Sequence, residues 1–339
     1  MERRIEIIGG GLAGLSLGIA LRRAAVPVTV HEAGDYPRHR VCGEFIAGLA
    51  RSTIDRLGVE TELEGALQHT EVAWSIGERS PQFQQLPAPA LALSRHALDA
   101  NLARSFVALG GQLLTRSRIS APENVPGRIV ATGRRRATEP RWIGLKVHVR
   151  EMPVIRDLEM HLGAHCYVGL SRVENETVNV CGLFRRRPIR GQGVTLLLDY
   201  LRAAGLHALA GRIAQAPVDA GSFCAVAALG FDRRVNGGEC ICLGDAGAMI
   251  PPFTGNGMAM AFQSAEVALA PMLAYVRGES DWPHACRVTT KQLRGRFRVR
   301  LASAGALHPF LLRPFRQRWF AALGRAQLLP FASLYSALH

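Results

Sequence analysis

The chain opens on Arg4-Ile-Glu-Ile-Ile8, three isoleucines in five positions, which reads as a short buried strand. Gly9-Gly-Gly-Leu-Ala-Gly14 then leads into leucines and alanines at helical spacing as far as Arg23, and Val26-Pro-Val-Thr-Val30 supplies a second strand. Strand, glycine turn, helix and strand within about thirty residues make a βαβ unit, whose strands are parallel and whose crossover is right-handed. Further helices are predicted over 46–57 and 95–109, with strands over 112–115 and 128–131. Between 142 and 184 the period falls to two, and 143–149, 166–170 and 177–183 read as antiparallel strands. Glu239-Cys-Ile-Cys-Leu243 returns to the buried-strand pattern, a long helix runs from near Gly257 to near Arg277, and the chain after Trp282 reads as helical and basic. The pattern predicts an α/β fold: a Rossmann-like domain assembled from 1–141 and 231–280, an inserted, mostly antiparallel β-sheet over 142–230, and a helical basic region over 281–339.

Composition fits a globular protein, with 48% hydrophobic and 20% charged residues. No apolar run reaches the roughly 18 residues of a transmembrane candidate, and the N-terminus lacks the apolar stretch of a signal peptide. The expectation is a cytoplasmic protein, peripheral to the membrane at most. The net charge is +14, from 41 basic against 27 acidic residues; two of the basic residues are lysine, Lys146 and Lys291, and the other 39 are arginine. Aromatics are only 6%, too sparse for a base-stacking surface, so the charge points to anionic small molecules, nucleotide cofactors or an anionic bilayer rather than nucleic acid. Denser clusters fall at Arg134-Arg-Arg136, at Arg185-Arg-Arg187 and from Arg294 to Arg318. Seven cysteines without a repeated pair spacing read as thiols. Cys240-x-Cys242 alternates along a strand, and His161, His165 and Cys166 lack a fourth ligand, so no metal is expected.

Gly9-x-Gly11-x-x-Gly14 has a reason for each glycine: the tight turn, the close approach of backbone to pyrophosphate, and helix-on-strand packing. Glu32 ends the second strand, 18 residues beyond Gly14, where a carboxylate can accept hydrogen bonds from ribose hydroxyls. Gly14-Leu-Ser16-Leu-Gly18 formally matches a nucleophile elbow, but Ser16 falls inside the first helix rather than at a strand-to-helix turn.

The far end of the chain decides between dinucleotides. Cys242-Leu-Gly244-Asp245-Ala-Gly-Ala-Met-Ile-Pro251-Pro252-Phe-Thr-Gly255-Asn256-Gly257-Met258 resembles the second flavin signature of the superfamily of aromatic-ring monooxygenases, flavin halogenases and geranylgeranyl reductases. Tyr36-Pro-Arg38-His-Arg40-Val-Cys42-Gly43-Glu44 is similar to that superfamily's loop beside the flavin, particularly in its geranylgeranyl-reductase-like branch. Ser94-Arg95-His-Ala-Leu98-Asp99 resembles the segment whose arginine reaches the FAD pyrophosphate. The matches touch 4–45, 94–133 and 239–275.

The resemblance implies FAD, held by Gly9, Gly11, Leu12, Ala13, Gly14, Glu32, Ala33, Arg40, Arg95, Ala131, Thr132, Gly133, Gly244, Asp245, Pro251, Gly255, Asn256, Gly257 and Met258. It assigns Asp245 to the ribityl chain and the backbone of Gly255 to Met258 to the isoalloxazine. Arg40, Cys42 and Glu44 are the catalytic candidates by proximity. One departure is informative. Where many of these monooxygenases carry an Asp-Gly pair linked to flavin and NAD(P)H binding, this chain has Thr132-Gly133, so direct reduction by NADPH or NADH stands beside oxidase chemistry or reduction by a partner. The expected function is that of a monooxygenase or oxidase using O₂ on a hydrophobic aromatic, polyketide-like or lipid molecule. A geranylgeranyl-reductase-like ene-reductase of a lipid is the alternative within the class, and a non-redox flavin-fold binding protein the alternative outside it. The C-terminal arginines, interleaved with Phe297, Leu307, Phe310, Leu311, Leu312, Phe315, Trp319 and Phe320, read either as a peripheral membrane contact or as a helix packed on the core with a solvated face.

Overall fold

The computed structural model describes residues 3–120, 123–134, 141–232, 234–235, 240–326, 328 and 330–339. The first half runs β1 (Ile5–Ile8), α1 (Leu12–Arg23), β2 (Val28–His31), β3 (Phe45–Ile46), α2 (Arg51–Leu57), β4 (Leu67–Ile76), β5 (Gln82–Ala92), α3 (Arg95–Ala108), β6 (Gln112–Leu114) and β7 (Arg128–Val130). The second runs β8 (Trp142–Arg150), β9 (Leu158–Gly163), β10 (Cys166–Val173), β11 (Thr177–Arg185), α4 (Gly193–Ala203), α5 (His207–Gln215), β12 (Val218–Ala227), β13 (Ile241–Cys242), α6 (Gly257–Val276), α7 (Trp282–Leu312), α8 (Pro314–Arg325) and α9 (Phe331–Leu338).

Five short strands pair in parallel in the order β13-β7-β1-β2-β6. This is the doubly wound arrangement that the βαβ pattern predicts, with β7 and β13 closing one side although 110 residues separate them in the chain. Every residue of α1 from Leu12 to Leu21 is buried. A helix apolar all round must be covered on all sides, and α1 packs against β1, β2, α3 and α6. The long α6 meets the length and hydropathy of a membrane span, contrary to the expectation that no such run exists, but it is mostly buried inside the protein.

The second sheet has eight strands in the order β12-β8-β11-β10-β9-β4-β5-β3. It therefore extends beyond the predicted 142–230 and draws β3, β4 and β5 from the first hundred residues. β5 was not legible because Pro87 and Pro89 lie within it and the β4–β5 register shifts between His69 and Glu71. The predicted helix over 46–57 is shortened to α2, because Phe45 and Ile46 pair with Ala92 and Leu91 as β3. One face of this sheet carries Leu145, Val147, Val149, Val168 and Val180 under α4 and α5. The other face, turned to the nucleotide-fold side, alternates with it along the strands: Trp142, Lys146 and His148 on β8, Asn179, Cys181 and Leu183 on β11, and Tyr167 on β10.

Candidate functional site

The glycine turn divides its three roles cleanly. Gly9 has φ +116°, and a Cβ there would lie 2.2 Å from the Ala131 carbonyl oxygen; a Cβ on Gly14 would lie 2.1 Å from the Gly9 oxygen. Both positions are closed to side chains by backbone. Among the described residues a Cβ on Gly11 would meet nothing within 4 Å, so the space in front of the N-terminus of α1 is open to them. Gly11 caps that helix with no side-chain hydrogen bond, and its first turn contains no acidic residue. Uncapped amides at a helix N-terminus, with the helix dipole behind them, form a cradle for a phosphate group. Leu12 and Ala13 lie in that first turn.

Glu32 is 4% exposed at the end of β2. Its Oε2 accepts from the Gly10 amide at 2.9 Å, and its Oε1 accepts from the Gly34 amide at 3.0 Å and from Arg38 Nη2 at 2.7 Å, which aims the carboxylate across Ala33 at the mouth of the turn. The Tyr36 hydroxyl donates to the Gly10 carbonyl, and burial together with the Glu32 charge keeps that phenol protonated.

Behind this carboxylate lies an arginine cluster. Asp99, fully buried, accepts from Arg95 Nε at 2.7 Å and Nη2 at 2.9 Å, and from Arg40 Nε at 2.8 Å. Among the described residues Arg40 Nη2 is buried with no hydrogen-bond partner, 3.7 Å from Glu32 Oε2. Three guanidiniums (Arg38, Arg40, Arg95) thus face two carboxylates (Glu32, Asp99). An orphaned buried donor beside a surplus positive charge fits an anionic group.

The second signature forms two tight turns ahead of α6. Gly244, at φ +58°, donates its amide to Ser264 Oγ at 2.9 Å and leads into a short turn that holds Asp245. Burial lifts the Asp245 carboxyl to about 6; Arg95 opposes the shift and Asp232 adds to it. Pro251 precedes a second tight turn ending at Gly255, where φ is +67° and a Cβ would lie 2.5 Å from the Phe45 ring. Asn256 is fully buried and donates from Nδ2 to the Leu338 carbonyl at 2.6 Å, which ties the loop to the C-terminal helix α9. α6 begins at Gly257 and Met258 with no side-chain cap, and a Cβ on Gly257 would meet nothing within 4 Å. It is a second open helix N-terminus. Gly133, with φ +79°, likewise has open space where a Cβ would be, beside exposed Thr132.

The three catalytic candidates come together on one loop but in different states. Arg40 is the one with an uncommitted donor. Glu44 has φ +54° and zero exposure; Oε1 accepts from the Arg95 amide at 3.1 Å and lies 3.5 Å from Lys146 Nζ, while Oε2 accepts from His148 Nε2 at 2.6 Å. Both oxygens are committed. Burial raises the Cys42 thiol above its ordinary range, so it is protonated at neutral pH, and its carbonyl accepts from Asn179 Nδ2 at 3.0 Å. Lys146 and His148 were missed by sequence reasoning. The available signal was Lys146 itself, one of two lysines in the chain, at an inward position of a strand that is mostly apolar.

Beside the Pro251–Gly255 turn the sheet face becomes aromatic. Phe253 packs edge-on to Tyr167 at 5.9 Å between centroids and stacks on His308 at 6.1 Å, and His308 also meets Phe231 at 5.0 Å and Trp142 at 5.6 Å. Burial alone lowers His308 to about 4, so this imidazole is neutral. His308 comes from α7, which the sequence marks only as basic and helical.

The remaining candidates resolve simply. Ser16 is fully buried, so it cannot act as an exposed nucleophile. His161 bonds Ser75 and Glu159, with Cys166 separately buried. Cys240 and Cys242 are thiols 3.6 Å apart. Glu239, Arg135 and Arg136 lie outside the described residues. Along the C-terminal helices Phe297, Leu311 and Leu312 are buried, whereas Phe315 and Trp319 are 62% and 61% exposed; Arg316 lies over the Phe310 ring and Arg318 over the Phe315 ring.

No family model matches the chain. Among curated proteins it shares 35% identity over 84 residues with the ferredoxin–NAD(+) reductase component of the biphenyl dioxygenase system of Paraburkholderia xenovorans (strain LB400), a match spanning 23% of this chain and only 21% of that relative. Solved structures match over nearly the whole chain. Pseudomonas aeruginosa PqsL in complex with 2-aminobenzoylacetate superposes with a TM-score of 0.71 at 16% identity, covering 92% of this chain and 97% of that one; PqsL is described as a probable FAD-dependent monooxygenase. The flavin-dependent brominase Bmp2 gives 0.72 at 17% identity over 99% and 94% of the two chains, and the halogenase PltM gives 0.70 at 14% over 91% and 75%. At these identities the likeness is one of fold, and the chain has the fold of the FAD-dependent monooxygenases and flavin halogenases.

Proposed function

We propose that this protein is an FAD-dependent oxidoreductase, a monooxygenase or oxidase that uses O₂ on an apolar small molecule. The observation that carries the reading is the open, uncapped N-terminus of α1 at Gly11, joined through Gly10 and Glu32 to a cluster with surplus arginine charge; the uncapped N-terminus of α6 at Gly257 is a second open helix end. The α1 amides, Arg40 and Arg95 would hold the pyrophosphate, Glu32 a ribose, and Asp245 the ribityl chain. FAD, when bound, supplies hydride transfer and oxygen activation. The positive end of the α6 dipole, at Gly257 and Met258, favours negative charge on a reduced ring.

The aromatic wall of Trp142, Tyr167, Phe231, Phe253 and neutral His308 would line the substrate side and exclude water there. An apolar, ring-bearing substrate suits such a wall. The aromatic ligand of PqsL supports the same class. The ene-reductase alternative rests on the Cys42-Gly43-Glu44 loop, whose thiol is protonated and whose carboxylate is fully engaged. The test is purification followed by product analysis by mass spectrometry on aromatic and lipid pools with and without O₂. Oxygenated or oxidised products that require O₂ support the reading. Saturated lipid products formed without O₂ would move it to ene-reduction, and a colourless protein that takes up no FAD would leave a binding protein.

The exposed Phe315 and Trp319, set beside Arg313, Arg316 and Arg318, favour a second element of the reading: docking of α8 on an anionic bilayer, from which an apolar substrate can be drawn.

A further inference from the structure

A second group of chemistry-bearing side chains lies beside the cofactor loop. His148 on β8 and Asp219 on β12 are direct partners in the antiparallel register, so their side chains leave the same face of the sheet as neighbours. His39, from the loop that follows β2, is brought onto that pair with its ring edge-on to His148 at 5.0 Å between centroids. One ligand atom from each of the three residues lies within 4.8 Å of the others. All three line a cavity of about 390 Å³ that His96 and Glu174 share. Nothing in their spacing, at positions 39, 148 and 219, announces a motif; only the sheet register and the loop bring them together.

Two imidazoles and a carboxylate form the donor set of a divalent transition ion of the zinc type. The surroundings already carry the outer contact that such a site uses. His148 Nε2 donates to Glu44 Oε2 at 2.6 Å, which puts the proton on Nε2 and leaves the Nδ1 lone pair for an ion, the carboxylate–histidine pairing typical of ligating imidazoles. Glu44 is itself fixed by the Arg95 amide. The Gly221 amide occupies one oxygen of Asp219, at 3.1 Å, and leaves the second for an ion. Zinc bonds of 2.0–2.1 Å hold tetrahedral donors about 3.3 Å apart. His39 and Asp219 are only partly buried and can close the remaining gap.

Two cationic side chains oppose the ion: Arg150, which lines the same cavity, and Lys146, whose Nζ is 3.2 Å from His39 Nδ1 and 3.5 Å from Glu44 Oε1. For His39 to ligate through Nε2, its Nδ1 must carry the proton, so Lys146 must leave that nitrogen and remain on Glu44.

We propose that His39, His148 and Asp219 form a three-ligand site for a zinc-type divalent ion, with water from the cavity completing its coordination. The ion pins the loop carrying Arg38 and Arg40 to β12, the edge strand of the large sheet. The test uses untagged, chelator-treated full-length protein titrated with Zn²⁺ or Co²⁺. One equivalent should bind per chain, the Co²⁺ form should show the visible bands of a four- or five-coordinate site, and Zn²⁺ should raise the melting temperature, whereas Mg²⁺ and Ca²⁺ should not replace it. Asp219→Asn and His39→Gln, both at partly exposed positions, should weaken binding by more than about tenfold, and Glu44→Gln by about tenfold. Lys146→Met, which removes one opposing charge, should tighten it. Less than one equivalent bound by the wild type, or Co²⁺ binding that Asp219→Asn and His39→Gln leave unchanged, would overturn the site. Because every readout is metal binding, failure here leaves the flavin reading intact, and failure of flavin binding leaves this site standing.

Discussion

Glu44 and His148 stand 104 positions apart in the chain and are joined by a 2.6 Å hydrogen bond inside a pocket where Glu44 and Lys146 have zero exposure. The Glu44 carboxylate links the start of α3, through the Arg95 amide, to the central part of β8. Removing one partner of a buried ion pair leaves an uncompensated charge, which costs about 3–5 kcal/mol. Glu44→Ala should therefore lower unfolding free energy by about that much in urea titrations, and Glu44→Ala with Lys146→Met should recover part of the loss. Equal stability of Glu44→Ala and wild type would show that the pair is open to water.

Gly11→Val should leave the flavin-free fold nearly unperturbed, because its Cβ meets nothing within 4 Å, yet fill the space a pyrophosphate needs. Flavin affinity, read by absorbance near 450 nm after gel filtration, should drop by about tenfold or more, equivalent to ~1.4 kcal/mol. Gly14→Val, whose Cβ would lie 2.1 Å from the Gly9 oxygen, should instead impair folding itself. Full flavin occupancy in Gly11→Val would remove the βαβ turn from the cofactor site.

His308 gives a pH dependence with a definite sign. Its pKa is about 4 in the folded protein against an ordinary 6.5, so between those values the unfolded chain binds the proton and the native state does not. Stability contributed by neutral His308 is present above about 6.5 and is lost as the pH falls towards 4, by up to about 3 kcal/mol. His308→Phe should flatten the wild-type slope in that window. Parallel slopes for the two proteins would place His308 in contact with water.

Thr132 bears on electron supply. With no carboxylate at this exposed position, NADPH alone should bleach the flavin slowly in anaerobic stopped-flow measurements, and addition of substrate or a reductase partner should speed it. Rapid bleaching without substrate would break the link between Thr132 and slow reduction.

α8 should bind vesicles containing phosphatidylserine and release them as salt rises, since each arginine near an anionic surface contributes about 1 kcal/mol. Replacing Arg313, Arg316 and Arg318 together with alanine should abolish co-sedimentation. If wild-type protein stays in the supernatant at low salt, the exposed Phe315 and Trp319 serve some other surface.

What the sequence by itself determined was local. The βαβ unit from β1 to β2 was legible because strand period, glycine turn and helix period all fall within one short stretch, and the two signature loops were legible because their glycines answer to the local backbone: Gly9 has φ +116° and Gly255 φ +67°. Tertiary structure decided whatever depends on strand register and on contacts between distant segments. β4 and β5 join the large sheet through pairing that Pro87 and Pro89 obscure in the sequence. Glu44 reads as a free acid on its loop and becomes a fully engaged carboxylate only when β8 lays Lys146 and His148 against it. His308, inside a helix that reads as merely basic, becomes a neutral ring in an aromatic wall because α7 brings it against Tyr167 on the sheet and Phe253 in the turn before α6. The states of Glu44 and His308 are a matter of what desolvates a polar group, and desolvation is set by neighbours that arrive from elsewhere in the chain.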